Sequence, residues 1–98
     1  MGFKDNYDFE QLVNEAERLV IDELEKQVEH YPEKLCLCED CVLDMATLAL
    51  NSIKPLYRVS LLGSLYAAHA MDEASYAESV KKAVAAAIEK VRENPSHD

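Results

Sequence analysis

Apolar side chains recur at steps of three and four residues between about Asp8 and Tyr31, which is the spacing of one face of an α-helix. We expect Asp8 to cap the start of this helix. Pro32 is expected to end it, because the residue before a proline avoids helical geometry. The apolar face comprises Phe9, Leu12, Val13, Ala16, Leu19, Val20, Leu24, Val28 and Tyr31.

Two further helices are predicted from the same kind of pattern. One runs from just after Cys41 to about Asn51, and because it is apolar nearly all round we expect it to be the central, most buried helix. The other begins at about Asp72 and ends at Asn94-Pro95. Its apolar stripe comprises Tyr76, Val80, Ala83, Val84, Ala87, Ile88 and Val91.

Residues 56–66 are harder to interpret. They mix β-favouring side chains with a Gly63-Ser64 turn signal, which permits a short hairpin, but a partly helical connection fits equally well. The whole chain has only two glycines and three prolines, fewer than strands and tight turns require. We therefore predict one mostly all-α domain spanning residues 1–98, with three to four helices and room for a short hairpin at 56–66.

Composition narrows the class of protein. With 49% apolar and 30% charged residues the chain is globular in character. Its net charge of −9 argues against binding to a nucleic-acid polymer, which requires a surplus of Lys and Arg. No apolar run approaches the length of a membrane span, and the polar N-terminus does not resemble a signal peptide. We expect a cytoplasmic protein that does not bind membranes.

The candidate chemistry lies in three cysteines, Cys36, Cys38 and Cys41, which are the chain's full complement. An odd number of thiols at this spacing does not suit a disulfide framework, whereas three thiolates can converge on one zinc ion. In a reducing cytoplasm, metal binding is favoured over disulfide formation. The alternative interpretations are buried thiols without a ligand role, or a redox switch in which oxidation releases zinc.

A structural zinc ion takes four ligands, so one more must come from elsewhere. The candidates are His30 at the end of the first helix, His69, and His97 or Asp98 in the tail, with water or a partner chain as further options. A catalytic role is disfavoured, because three thiolates make zinc a poor Lewis acid toward water. Motifs typical of zinc deaminases, Rossmann domains or phosphate-binding loops are absent from the sequence.

The Cys-x-Cys-x-x-Cys motif is followed in register by Asp44, by the segment 46–51 (Ala-Thr-Leu-Ala-Leu-Asn), and by Pro55 and Tyr57. This combination resembles the late-competence protein ComFB family, with a core match at about 35–66. The resemblance implies a small α-rich dimeric fold, zinc in the members that carry the cysteines, and a regulatory role. Some members of that family are receptors for cyclic dinucleotides.

The resemblance also extends over the tail, and it favours His97 as the fourth zinc ligand, because a ligand there would hold an otherwise frayed end.

For a cyclic dinucleotide of the c-di-GMP type, Arg58, Tyr57 and Tyr66 are the candidate binding residues, since a guanidinium can stack on guanine or bind a phosphate. Apolar helix faces support a homodimer independently. We expect a non-enzymatic regulatory module that binds such a ligand or docks a protein partner; a purely structural adaptor and a redox switch are the alternatives.

Overall fold

The computed structural model of the chain describes residues 2–58 and 73–95. As the sequence predicted, the described part is mostly helical. Its helices are α1 (Glu15–Glu29), α2 (Glu39–Asn51) and α3 (Glu73–Glu93), its strands are β1 (Val13–Asn14) and β2 (Tyr57–Arg58), and two 3-10 turns precede β1 at Phe3–Asn6 and Phe9–Gln11.

The first helix begins later than the pattern predicted. The expected start at Asp8 is wrong, because Asp8 caps only the second 3-10 turn, where its carboxylate accepts a hydrogen bond from the Glu10 N–H (3.1 Å). The N-cap of α1 is Asn14, whose side-chain oxygen accepts from the Ala16 N–H (3.1 Å). The helix ends at Glu29, close to the predicted stop at Pro32.

The late start of α1 follows from strand pairing. Asn14 and Tyr57 are opposite each other in an antiparallel two-stranded sheet, next to Val13 opposite Arg58. The Asn14 side-chain oxygen also accepts from the Leu56 N–H (2.7 Å), so one side chain caps α1 and ties it to β2. Tyr57 and Arg58 thus pair with a segment distant in the chain. Residues 59–66, for which the sequence permits a hairpin or a partly helical connection, lie outside the described residues.

The second helix ends at Asn51 as predicted but begins at Glu39, before Cys41. It packs against both α1 and α3, and among the three described helices it has the largest share of buried or half-buried residues, in line with the prediction of a central helix. Along α2, Cys41, Met45 and Ala49 are buried, while Leu43 is 57% exposed. Its solvent face thus mixes Leu43 and Leu48 with polar residues such as Glu39 and Thr47.

The last helix matches its prediction closely, from Glu73 to Glu93 with Asn94-Pro95 after it. All seven positions of its predicted apolar stripe are buried. They pack with the buried faces of α1 and α2 in one cluster. The buried Tyr76 ring donates its hydroxyl to the Lys54 carbonyl (2.6 Å), so its polar end is satisfied within the core. The cluster from α1 and α2 comprises Ala16, Val20, Leu24, Cys41, Met45 and Ala49.

The connection that leads from α1 into the cysteines is held to α3 by polar contacts. The Tyr31 hydroxyl donates to the Glu89 carboxylate, and Arg92 pairs with Glu89 (2.9 Å) and with Glu33 (3.6 Å). The Arg92 guanidinium, with help from Tyr31, holds the pKa of Glu89 below its ordinary value. These contacts fix where the connection leaves the helical core before it reaches the first cysteine.

Candidate metal centre

Two of the cysteines belong to the first turn of α2. Cys38 is the N-cap residue, and its Sγ accepts a hydrogen bond from the Cys41 N–H at 3.4 Å. The Cys38 carbonyl accepts from the Val42 N–H (3.0 Å) in the first regular turn of the helix. The helix start therefore sets the spacing between these two thiols, while Cys36 approaches from the preceding connection.

The three sulfur atoms converge. The Sγ atoms of Cys36, Cys38 and Cys41 all lie within 4.8 Å of one another. Tetrahedral zinc with bonds of about 2.3 Å needs sulfur atoms roughly 3.8 Å apart, and no sulfur pair here exceeds that requirement by more than about 1 Å. Three soft thiol donors, two from the first turn of α2 and one from the connection before it, fit a zinc ion.

The surroundings favour the thiolate form that binds metal. The Cys41 N–H hydrogen bond is the main reason that the pKa of Cys38 lies below its ordinary value; loss of hydration opposes this effect, and the Cys36 and Cys41 side chains add to it. The three sulfurs also lie at the positive end of the α2 dipole. Both influences reduce the cost of deprotonating the thiols when a metal binds.

The cluster spans the surface and the core. Cys36 and Cys38 are exposed, whereas Cys41 is 1% exposed and belongs to the buried cluster formed by the three helices. A metal ion held by all three would thus join an exposed connection to a residue packed in the core. Sequence spacing alone did not reveal this difference in burial.

The fourth-ligand candidates are placed as follows. His30 is the C-cap of α1, where its Nδ1 lies 2.9 Å from the Lys26 carbonyl oxygen. Within residues 2–58 and 73–95, the metal-type cluster consists of the three cysteines and does not include His30. His69, His97 and Asp98 lie outside the described residues, so a fourth ligand from that group stays a prediction.

The residues predicted to bind a small ligand are placed only in part. Tyr57 and Arg58 are consecutive in β2, and the Tyr57 side chain is 53% exposed. Of Arg58 only the backbone is described, and Tyr66 lies outside the described residues. A shared pocket for these three side chains therefore stays a prediction.

Two residues that position the site, Asn14 and Cys38, were not identified as helix caps from the sequence. Asn14 with Glu17 three residues later is a pattern typical of a helix start, and it could have identified the first residue of α1. Cys38 as an N-cap had no such signal, because cysteine is not among the residues that usually cap helices.

The fold and the cysteine cluster define a small helical protein with a metal-type thiol site at the start of its second described helix. A family model, late competence development protein ComFB, matches residues 13–95, and the chain belongs to that family. Membership indicates a small competence-related regulatory protein, in a family not known for enzymes. A comparison with curated proteins found no match.

Within the described ranges, no helix combines the length and the apolar character that a membrane span needs.

Proposed function

We propose that the protein is a non-enzymatic, cytoplasmic regulatory module that acts as a homodimer and holds one structural zinc ion per chain. The observation that supports this most directly is the convergence of three cysteine sulfurs within 4.8 Å at the start of α2. Zinc bound there would supply a rigid cross-link between the connection after α1 and the helical core.

The residues themselves argue for a structural rather than a catalytic metal. Three thiolates donate enough charge to make zinc a weak Lewis acid, so a bound water would not be activated strongly. Cys36 and Cys38 would hold the connection, and Cys41 would anchor the site in the core. We propose His97 as the fourth ligand, which would fasten the C-terminal tail to the same point.

The homodimer has support in the exposed apolar side chains of the helices. Leu43 and Leu48 on α2 are 57% and 38% exposed. Apolar surface beyond scattered single residues commonly marks a protein interface. A second copy covering part of it would stabilise a small domain with a limited core.

Native mass spectrometry of protein purified without chelator or added metal tests both parts of this proposal. We expect a two-chain species carrying one zinc per chain. Metal-free protein would contradict the zinc site, and a metal-loaded single chain at micromolar concentration would contradict the homodimer. Masses that show oxidised thiols would favour the redox switch described below.

For the regulatory ligand we propose a cyclic dinucleotide of the c-di-GMP type, bound through Arg58 with Tyr57 and Tyr66. Arg58→Ala is expected to weaken binding by roughly tenfold or more, because charge-assisted hydrogen bonds contribute about 1.5–3 kcal/mol. Arg18→Ala is the matched control, since Arg18 is exposed and pairs with Glu15 and Asp22 on its own helix.

Isothermal titration of cyclic di-GMP into the two variants and the wild type measures the effect. Equal losses in both variants would indicate non-specific attraction to arginine. No binding to the wild type would contradict a cyclic-dinucleotide receptor and favour a protein-docking module or a structural adaptor.

A thiol-based redox switch is the second candidate. Two observations favour it: Cys36 and Cys38 are exposed, and the pKa of Cys38 is lowered. Exposed thiolates are the ones that oxidants reach. A protein that loses zinc on mild oxidation and regains it on reduction would support this role.

A further inference from the structure

The exposed apolar residues of this chain are concentrated near its N-terminus. Of the ten large hydrophobic side chains found exposed in the described residues, five lie between residues 3 and 13. Single exposed apolar residues are normal on a protein surface, but a cluster of them marks an interaction site. The five are Phe3, Tyr7, Phe9, Leu12 and Val13.

Three of these residues form a contiguous aromatic surface, which we call the N-terminal aromatic cluster: Phe3, Tyr7 and Phe9. Their ring centroids are 4.8 Å (Phe3–Tyr7), 6.0 Å (Phe3–Phe9) and 6.1 Å (Tyr7–Phe9) apart. These are distances of direct ring contact. The rings nevertheless keep 69%, 58% and 46% of their surface exposed, so they pack on one another and not on the core.

The backbone that carries the rings forms two 3-10 turns, each closed by a side-chain hydrogen bond. The Gly2 N–H donates to Asp5 (3.1 Å) and the Glu10 N–H donates to Asp8 (3.1 Å), so each 3-10 turn is held by its own carboxylate. Neither turn buries any residue. Ordering a segment costs conformational entropy, and burial against the helical core does not offset that cost here. The two turns thus hold the three rings at the surface, where a partner can reach them.

The charge around the rings indicates which partner fits. An open cavity of about 630 Å³ is lined by the aromatic cluster together with Lys4, Asp8 and Glu10. Residues 2–12 carry one lysine and three carboxylates, and the whole chain has a net charge of −9. Aromatic faces next to carboxylates attract cations, most strongly the arginine guanidinium.

We propose that the N-terminal aromatic cluster docks a segment of another protein in which arginine or lysine side chains alternate with apolar ones. Cations would stack on the rings beside Asp8 and Glu10, and the apolar side chains would enter the cavity between them. The cluster precedes residues 13–95, the part matched by the family model. It depends on neither the metal nor the small ligand proposed above.

The test uses a capped peptide in which arginine and leucine alternate, titrated into ¹⁵N-labelled full-length protein at physiological ionic strength. We expect shifts of the amide resonances concentrated in residues 2–12. Two comparison peptides separate the contributions: one replaces arginine by glutamate, and one replaces leucine by serine. Both are expected to bind at least roughly tenfold more weakly, since the proposal needs charge and apolar contact together.

The main variant combines Phe3→Ala, Tyr7→Ala and Phe9→Ala, which removes the rings and leaves the charge unchanged. It is expected to weaken peptide binding roughly tenfold or more, while Ile21→Ala, an exposed apolar residue on α1, leaves binding unchanged. Because the rings are not part of the core, the circular dichroism melting curve should stay the same.

A smaller change tests the charge without touching the rings. Glu10→Gln should weaken binding several-fold and reduce its salt dependence, whereas Glu78→Gln on the exposed face of α3 should not. Unchanged affinity in the triple variant, or shifts spread over the acidic helix faces, would overturn the proposal. So would conversion of a wild-type dimer to a monomer by the triple variant, because a second copy would then occupy the cluster.

Discussion

Removing the proposed zinc ion is expected to lower the melting temperature of the protein by roughly 15 °C or more. A ligand present at about 1,000 times its Kd adds about 4 kcal/mol to the free energy of unfolding. Each kcal/mol shifts the melting temperature of a domain this size by about 4–8 °C. The effect should be large here because Cys41 belongs to the buried cluster while its two partners do not. Circular dichroism melting with and without a chelator measures it.

Serine variants separate the metal from the packing. Without chelator, Cys36→Ser should lower the free energy of unfolding by as much as removal of zinc does. Because Cys36 is exposed, the variant and the wild type should differ by no more than about 0.5 kcal/mol once both are treated with chelator. Cys41→Ser should remain destabilising after chelation, by about 1–3 kcal/mol, because it places a hydroxyl in the core. A wild-type melting temperature that the chelator leaves unchanged would contradict a structural zinc.

How far the sequence predicts the fold can be seen by comparing α1 with α3. The last helix was predicted almost to the residue, because its apolar period, its start and its Asn94-Pro95 stop are all local signals. The start of α1 was not predicted correctly, because Val13 continues the apolar pattern although it lies in strand β1. Its partner, Arg58, is 45 positions away in the chain, and local periodicity carries no information about such a pairing.

At the candidate site, too, the local features are predictable from the sequence and the tertiary ones are not. Close cysteine spacing predicts convergence of the sulfurs, since residues on one turn and its approach are necessarily near each other. That Cys41 is buried and Cys36 exposed depends on how α2 packs against α3, which is a tertiary property. The exposure of Leu43 follows from the same packing, although its hydrophobicity alone favours burial.

The core itself can be tested by truncating one side chain of α3. Ile88 is 1% exposed and is among the largest fully buried side chains of the described residues. Ile88→Ala is expected to lower the free energy of unfolding by about 2–5 kcal/mol, from lost transfer energy and from the cavity that remains. A domain of this size has about 5–15 kcal/mol in total, so the variant should lose a large fraction of its stability. Urea denaturation of zinc-loaded protein measures the change.

The chain offers a matched control in Ile21, which carries the same side chain on α1 but is 57% exposed. Ile21→Ala should change the free energy of unfolding by no more than about 0.5 kcal/mol. Ile88→Val should lower the free energy of unfolding by an intermediate amount, about 0.5–1.5 kcal/mol, because the valine side chain still fills most of the cavity. Equal costs for the two alanine variants would contradict the packing of α3. A cost for Ile21→Ala that grows with protein concentration would instead place that residue in the proposed dimer interface, since only association makes stability depend on concentration.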